Sequence, residues 1–209
     1  MEVIKSPKKI IDTSFSLVKE ALGEHTFTEE EFPIVVRITH STGDPQFGKE
    51  VRFRVDSISS GVEALRGGCS IVVDVNMVKS GISKTLMKKL GVRCVCHIAD
   101  KDIFLRSEEQ DITRSELAMK KARDVIQGGI VAIGNAPTAL FEVIRLIREE
   151  DIRPALVIGF PVGFVGAVES KRELVNTNVP FITNLSKRGG TPVAVSTINA
   201  LLKITDEGG

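Results

Sequence analysis

The chain has 209 residues, 42% of them hydrophobic and 26% charged, a composition typical of a globular protein long enough to bury a full core. Its 28 basic and 27 acidic side chains leave a formal net charge of +1, so bulk charge does not favour a nucleic acid or a membrane surface as partner. Ten Phe with no Tyr or Trp also argue against an aromatic stacking platform for single-stranded nucleic acid.

The N-terminal segment MEVIKSPKKIIDTSF has no apolar core of the kind found in signal peptides, and no apolar run in the chain approaches the length of a membrane-spanning helix. Three cysteines (Cys69, Cys94 and Cys96) are too few and too clustered for a disulfide framework. We therefore expect a cytoplasmic protein.

The first 66 residues show a less regular pattern than the rest. SPKKIIDTSFSLVKEALG predicts a helix with Ser6 as N-cap and Pro7 in the first position. TFTEEEFPIVVRITH is ambiguous: Thr28 and Glu31 have the spacing of a capping box, whereas Pro33 and the VVRI run would also suit a strand. We favour the helix. SISSGVEALRGG predicts a short helix closed by glycines.

From residue 69 onward, short apolar runs rich in β-branched residues and bounded by Gly or Pro predict buried strands. The runs are CSIVVDV (69–75), VRCVCHIA (92–99), IVAIGN (130–135), ALVIGF (155–160) and VPFITNL (179–185).

Helical patterns lie between and after these runs: SKTLMKKLG, TRSELAMKKARDVIQGG, PTALFEVIRLIREED, VGAVESKRELVNT and TPVAVSTINALLK. Alternating strands and helices imply crossover connections and a sheet covered on both faces. With no linker, repeat or low-complexity stretch, we expect a single α/β domain, residues 1–209, in three α/β/α layers around a mostly parallel sheet of five or six strands.

Ligands of an open parallel sheet bind at the carboxyl ends of its strands. The predicted loops there are rich in glycine and lead into helix starts, where free N–H groups favour an anion, and Arg114, Lys187 and Arg188 could add charge to the same edge. This favours a polyanionic ligand, although glycine and proline also build tight turns that bind nothing.

Several other sites find little support. GFPVGFVGA lacks the dinucleotide G-x-G-x-x-G spacing, and no Walker motif is present. Cys94, Cys96 and His97 could be read as a metal cluster, but buried strand cysteines are the better interpretation, because no second cysteine pair completes a tetrahedral site. Ser115 and Ser170 lie in or at the start of predicted helices, which leaves only a weak case for a nucleophilic serine.

His40 ends the ambiguous segment, directly before a Ser-Thr-Gly-Asp-Pro turn. Histidine ordinarily titrates close to neutral pH, and a helix C-terminus favours its protonated form, so His40 could act as a proton donor. Taken alone, a histidine in this position is more often a structural residue at a helix end.

Several segments, in this order and spacing, resemble the precorrin-8X methylmutase family, including its cobalt-precorrin-8 members. They are RITHSTGD, VVDVNMVKSGI, DITRSELA, VAIGNAPTALFEV, VIGFPVGFVGAVESK and RGGTPVAVSTINALL. The resemblance runs from the first helix to residue 201.

The resemblance implies an isomerase that moves a methyl group from C-11 to C-12 of a tetrapyrrole by a formal 1,5-sigmatropic shift, giving hydrogenobyrinate or cobyrinate. It implies no cofactor and no protein-bound metal, a polycarboxylate substrate and a homodimer. The family's proton-donating histidine falls on His40. Its substrate-binding residues fall on Ser14, Arg37, Thr113, Arg114 and Ser115.

Two departures from the family pattern concern carboxylate recognition: Thr13 precedes Ser14, and Leu185-Ser186 precede Lys187-Arg188. The alternatives to a methylmutase are a non-catalytic tetrapyrrole carrier and a nucleotide-binding enzyme, the latter disfavoured by the missing fingerprint.

Overall fold

The computed structural model describes residues 6–208. Across these residues the chain forms one sheet of six strands in the order β1-β6-β5-β4-β2-β3. Neighbouring strands are parallel except for β1, which pairs antiparallel with β6. The strands are β1 (Arg52–Phe53), β2 (Ser70–Val73), β3 (Arg93–Val95), β4 (Ile130–Ile133), β5 (Leu156–Gly159) and β6 (Phe181–Thr183).

The helices of this part of the chain connect the strands and cover the sheet. They are α1 (Pro7–Leu22), α2 (Phe32–Thr42), α3 (Pro45–Lys49), α4 (Ser57–Arg66), α5 (Asn76–Gly81), α6 (Lys84–Lys89), α7 (Lys101–Gln110), α8 (Arg114–Lys121), α9 (Arg123–Ile126), α10 (Pro137–Glu149), α11 (Ala167–Val175) and α12 (Thr191–Glu207).

Each of the five predicted apolar runs contains a strand, β2 to β6, so the prediction of a mostly parallel sheet between helices is confirmed. β1 was not predicted. Two residues are too short to carry a periodic signal, and this strand exists only because Arg52 and Phe53 pair with Thr183 and Ile182.

The ambiguous segment is a helix, as favoured. α2 begins at Phe32, and the predicted capping box forms just before it. The Thr28 N–H donates to the Glu31 carboxylate at 3.0 Å, and the Glu31 N–H donates to Thr28 Oγ1 at 3.2 Å. These two bonds fix the turn from which the helix grows. Ser6 occupies the N-cap position of α1, although its side chain makes no capping bond.

Three helical predictions need correction. Residues 113–129, predicted as one helix, form two helices, α8 and α9. The break lies at Ala122, whose ψ of 1° departs from the α-helical value. No proline or glycine marks that break in the sequence. The loops after β2 and β3 contain the helices α5 and α7, which are absent from the predicted helical patterns. The apolar positions of PTALFEVIRLIREED predict that Phe141 is buried with Leu140 and Ile144, but Phe141 is 37% exposed.

The sheet divides the buried side chains into two cores, because successive side chains of a strand point to opposite faces. On one face, Ile71, Val73 and Ile158 pack with side chains of α2, α4 and α12. On the other, Val72 and Val157 pack with side chains of α8 and α10. Burial on both faces explains why the strands read as continuous apolar runs.

Candidate functional site

The carboxyl edge of the sheet is organised by a buried carboxylate. Asp74 follows β2 and is 0% exposed. Its oxygens accept the backbone N–H groups of Gly134 at 3.0 Å and of Asn135 and Ala136 at 2.8 Å, in the loop after β4. Burial raises the pKa of Asp74, and the three N–H donors oppose that rise. The carboxylate therefore joins two neighbouring strand ends where the strand order reverses.

His40 lies in the last turn of α2 and is exposed to solvent. It lines an open cavity of about 340 Å³ together with Ser14 of α1, Thr39 and Gly43. The structure thus brings together the predicted proton donor and the predicted substrate-binding serine. The helix ends at Gly43, which adopts the left-handed conformation at φ 64° and donates its N–H to the Thr39 carbonyl.

Phe15 lies between His40 and Arg37. The rings of Phe15 and His40 meet edge to face with centroids 5.2 Å apart, and the Arg37 guanidinium lies 5.3 Å from the Phe15 centroid. His40 and Arg37 are one turn apart on α2 and share this aromatic neighbour. Arg37 faces an adjoining cavity of about 210 Å³, which Lys19 and Lys203 also line.

The predicted element Thr113, Arg114 and Ser115 lies at the start of α8, which packs on the other face of the sheet. Thr113 Oγ1 donates to Thr138 Oγ1 at 2.8 Å, so α8 is tied to the start of α10. Arg114 lies over the ring of Phe104 at 5.8 Å and lines a separate cavity of about 410 Å³. Within one chain, Arg114 therefore lines a different cavity from the one that contains Ser14 and His40.

The cysteines behave as strand residues. Cys94 and Cys96 pack on the first core from β3 and just beyond it, and both are partly buried. Burial raises the pKa of the Cys69 and Cys94 thiols to about 11, so they are poor nucleophiles and poor metal ligands at neutral pH. Within residues 6–208, no group of three or more His, Cys, Asp or Glu side chains is arranged to hold a metal ion. Over the same residues, no helix is long and apolar enough to cross a bilayer.

Comparison with known proteins is decisive for the family. The sequence model of the precorrin-8X methylmutase family matches residues 9–204. The chain belongs to this family.

Members of the precorrin-8X methylmutase family match over almost the whole length of both chains. A cobalt-precorrin-8 methylmutase of Priestia megaterium is 45% identical over 202 residues, covering 97% of this chain and 90% of the relative. A precorrin-8X methylmutase of Sinorhizobium is 33% identical, with 97% of each chain covered. The crystal structure of a Thermus thermophilus precorrin-8x methyl mutase superimposes with a TM-score of 0.88 at 34% identity, covering 96% of this chain and 98% of the other. The chain is therefore an isomerase of cobalamin biosynthesis that catalyses an intramolecular methyl transfer.

In this methylmutase, the loop 184–190 follows β6 and contacts α3, the helix directly after α2. The Arg188 guanidinium pairs with the carboxylates of Asp44 and Glu50, with 2.6 Å to Glu50 Oε1, and lies over the ring of Phe47 at 5.1 Å. Ser186 Oγ donates to Glu50 at 2.7 Å. Asp44 is also the N-cap of α3, accepting the N–H groups of Gln46 and Phe47.

These contacts lower the pKa of both carboxyl groups, Asp44 and Glu50. The N–H groups that Asp44 accepts and the Arg188 guanidinium lower the pKa of Asp44. Burial acts to raise the pKa of Glu50, but its bonds from Ser186 and Arg188 outweigh burial and lower it. Arg188 thus joins the loop to α3 across a sequence separation of 144 residues.

Sequence reasoning missed Asp44, Glu50, Asp74 and Lys171 as organising residues of this methylmutase edge. Asp44 could have been found from its place before proline, which is typical of a helix N-cap. Asp74 offered a weaker signal, a carboxylate directly after a buried strand. Glu50 and Lys171 carry no local signal, because their partners are distant in the chain.

Proposed function

We propose that this methylmutase moves the methyl group from C-11 to C-12 of precorrin-8X or cobalt-precorrin-8, and that His40 donates a proton to the macrocycle and accepts one back, so that the isomerisation leaves the number of protons unchanged. Ser14 and Arg37 bind the substrate beside it. The observation that carries the proposal is the shared cavity of Ser14 and His40 at the C-terminal end of α2.

The position of His40 suits proton donation. His40 lies two residues before the end of α2, where its ring lines the cavity that Ser14 also lines. Its ring is held by Phe15 on one side and is exposed to the cavity on the other. A proton donor must reach its target atom directly, and an exposed ring with one fixed edge allows that.

A methyl shift within one molecule needs no external methyl group. The enzyme then contributes binding of the macrocycle in a reactive geometry and protonation at one position, which favours charge separation in the transition state. Arg37 and Lys19 beside the cavity provide cationic partners for the carboxylates of the substrate.

Purified protein is mixed separately with precorrin-8X and with cobalt-precorrin-8, because the relatives reported above are named for both forms. Conversion of the absorption spectrum to that of the product is expected without an added methyl donor. His40→Ala is expected to bind substrate with little change in Kd and to lose turnover by about 100-fold or more, the range assigned to a general acid.

His25→Ala is the matched control, since His25 stacks on Phe32 at 4.1 Å, away from the residues that line the His40 cavity. Turnover in this control should equal that of the wild type. Unchanged turnover in His40→Ala would remove His40 from the mechanism. Tight binding of the macrocycle with no conversion by the wild type would instead support the carrier alternative.

We also propose that the methylmutase acts as a homodimer whose second copy completes the site. Three observations support this proposal. The cavity of His40 is open and small for a tetrapyrrole. The predicted residues Thr113, Arg114 and Ser115 lie at the start of α8, which packs on the other face of the sheet. Exposed apolar side chains near the carboxyl edge, Phe104, Leu105, Phe164 and Val165, are suited to contact with a second copy.

Each copy is proposed to act as one domain, residues 1–209, in the cytoplasm, with neither nucleic acid nor membrane as partner.

A further inference from the structure

Lys171 is a buried cation that proton transfer at His40 does not use. It lies in α11, and its side chain is 0% exposed. Lysine is rarely buried to this degree without specific partners, because removing an ammonium group from water costs several kcal/mol. Burial lowers the pKa of Lys171 to about 7.

The partners of Lys171 are two backbone carbonyls in the loop 184–190. Its Nζ donates to the carbonyl oxygen of Ser186 at 2.8 Å and to that of Arg188 at 2.6 Å. Asn184 Nδ2 reinforces the same turn, donating to Ser186 Oγ at 2.8 Å and to the Arg188 carbonyl at 3.1 Å. The loop is therefore held from beneath by side chains of α11 and of the residue that follows β6.

The backbone at the end of the loop packs closely against a neighbouring segment. Gly189 and Gly190 have φ of 158° and 113°, and a Cβ at Gly189 would lie 2.5 Å from the carbonyl oxygen of Phe160. The chain thus passes close against Phe160 at the end of β5, and the two bonds from Lys171 hold two backbone carbonyls of the loop just before these glycines.

Arg188 and Ser186 connect the loop to the segment that follows His40. Arg188 pairs with Asp44, four residues after His40, and both Arg188 and Ser186 bind Glu50 at the far end of α3. Thr42, Asp44, Arg188 and Gly189 line one cavity of about 300 Å³, so the loop and the end of α2 face each other. Asp44 in turn donates its N–H to Thr42 Oγ1 at 3.3 Å, and this bond links the loop to the last turn of α2.

We propose that Lys171 is a positioning residue for the methyl shift: by holding the carbonyls of Ser186 and Arg188, it fixes the loop that sets the C-terminal end of α2 and the direction of His40. The inference rests on the proposed function, in which His40 donates the proton.

Positioning survives a change in the protonation of Lys171. A neutral amine still has two N–H groups, equal in number to the two carbonyls that accept from it. The charged groups that face it are Glu50, whose charge favours the ammonium form, and Arg188 on the loop itself. The side chain therefore acts through its donors, in either state.

Lys171→Met tests the inference, since methionine keeps an unbranched side chain, one atom shorter than that of lysine, and removes both hydrogen bonds to the loop. We expect kcat to fall about 100-fold, the cost associated with a small misplacement of a reacting group, with KM within about threefold of the wild type. The measurement is steady-state conversion of the tetrapyrrole by absorbance. A folded variant whose kcat lies within twofold of the wild type overturns the inference, as does a raised KM with unchanged kcat.

Leu146→Ala is the control for a purely structural effect. Leu146 is buried in the second core, on α10, and its truncation should lower stability while leaving kcat per folded molecule unchanged. If both variants lose kcat in proportion to their loss of stability, Lys171 is structural only and the inference fails.

Ser186→Ala provides a second variant if Lys171→Met does not fold. It removes the hydroxyl that donates to Glu50 and accepts from Asn184 Nδ2, and it leaves the bonds of Lys171 to the loop backbone. Even one lost hydrogen bond of ordinary strength corresponds to a fall in kcat of about fivefold, and unchanged kcat contradicts the proposed path.

Failure of the proposed function is recognised separately. Absence of conversion by the wild type, or full activity of His40→Ala, removes the basis of the inference before Lys171 is tested. Loss of kcat in His40→Ala together with wild-type kcat in Lys171→Met leaves the proposed function intact and overturns the role of Lys171 alone.

Discussion

Lys171 links protonation to stability at the scale of a single residue. Its pKa of about 7 in the folded chain lies below the ordinary lysine value of 10.5. Between these two pH values the unfolded chain binds a proton that the folded chain has released. The contribution of Lys171 to the free energy of unfolding therefore rises with pH between these two values. Below about pH 7 this contribution is constant and at its lowest.

We expect the difference in unfolding free energy between the wild type and Lys171→Met to move in favour of the wild type as pH rises from 7 towards 10. The slope is at most about 1.4 kcal/mol per pH unit. Chemical denaturation of both proteins at several pH values measures it, and other titrating groups largely cancel in the difference. Parallel stability curves would contradict the buried, readily deprotonated state of Lys171.

Single residues also show where sequence reasoning stops. The place of His40 at a helix end followed from local pattern, and α2 confirms it. Its contact with Phe15, which lies 25 positions earlier, did not follow, since nothing in either segment specifies the packing of α1 against α2. The roles of Ser14, Arg37 and His40 stay predictions until the variants are measured.

At the scale of elements, α2 and α3 approach closely beneath the site. A Cβ built on Gly48 of α3 would lie 2.1 Å from Thr39 Oγ1, the residue directly before His40, and 3.0 Å from Leu22. Only a residue without a side chain permits this approach.

Gly48→Ala is therefore expected to push α3 away from α2, to lower stability by about 1–3 kcal/mol and to reduce turnover by displacing the turn after His40. Thermal unfolding and the conversion assay measure the two effects. Gly67→Ala is the matched control, because Gly67 has φ −74° and a Cβ there meets its nearest atom at 3.4 Å. Equal effects of the two substitutions would show that the close contact is unimportant.

Element types were largely predictable, whereas some boundaries were not. The capping box before α2 and the apolar runs of β2 to β6 are short-range signals, and they predicted correctly. β1 and the break at Ala122 were missed, because one is a product of pairing with β6 and the other carries no helix-breaking residue.

At the scale of the whole molecule, the predicted substrate-binding residues lie on two layers of one chain. A homodimer in which one copy supplies α8 to the site of the other would reunite them. The expected mass in solution is twice the chain mass of 22.7 kDa. Light scattering after gel filtration measures it.

Specific activity should also fall when the protein is diluted below the dissociation constant of the dimer, because a separated chain has an incomplete site. The side chain of Phe164 is 86% exposed. If it contacts the second copy, Phe164→Asp should weaken the dimer, because a charge would be buried there, and specific activity should then fall at a higher protein concentration. A monomer with dilution-independent activity would contradict the dimer.

The sequence by itself determined the class of fold and the order of most elements, and it predicted the edge of the sheet at which the ligand binds. It could do so because hydrophobic periodicity, capping residues and glycine-rich turns act within a few residues. Only the tertiary structure decided how Asp74 holds a loop 60 residues away, how Arg188 reaches Asp44 across 144, and how Lys171 comes to lie beneath the loop 184–190. Those contacts depend on the packing of whole layers, and no local pattern of residues encodes them.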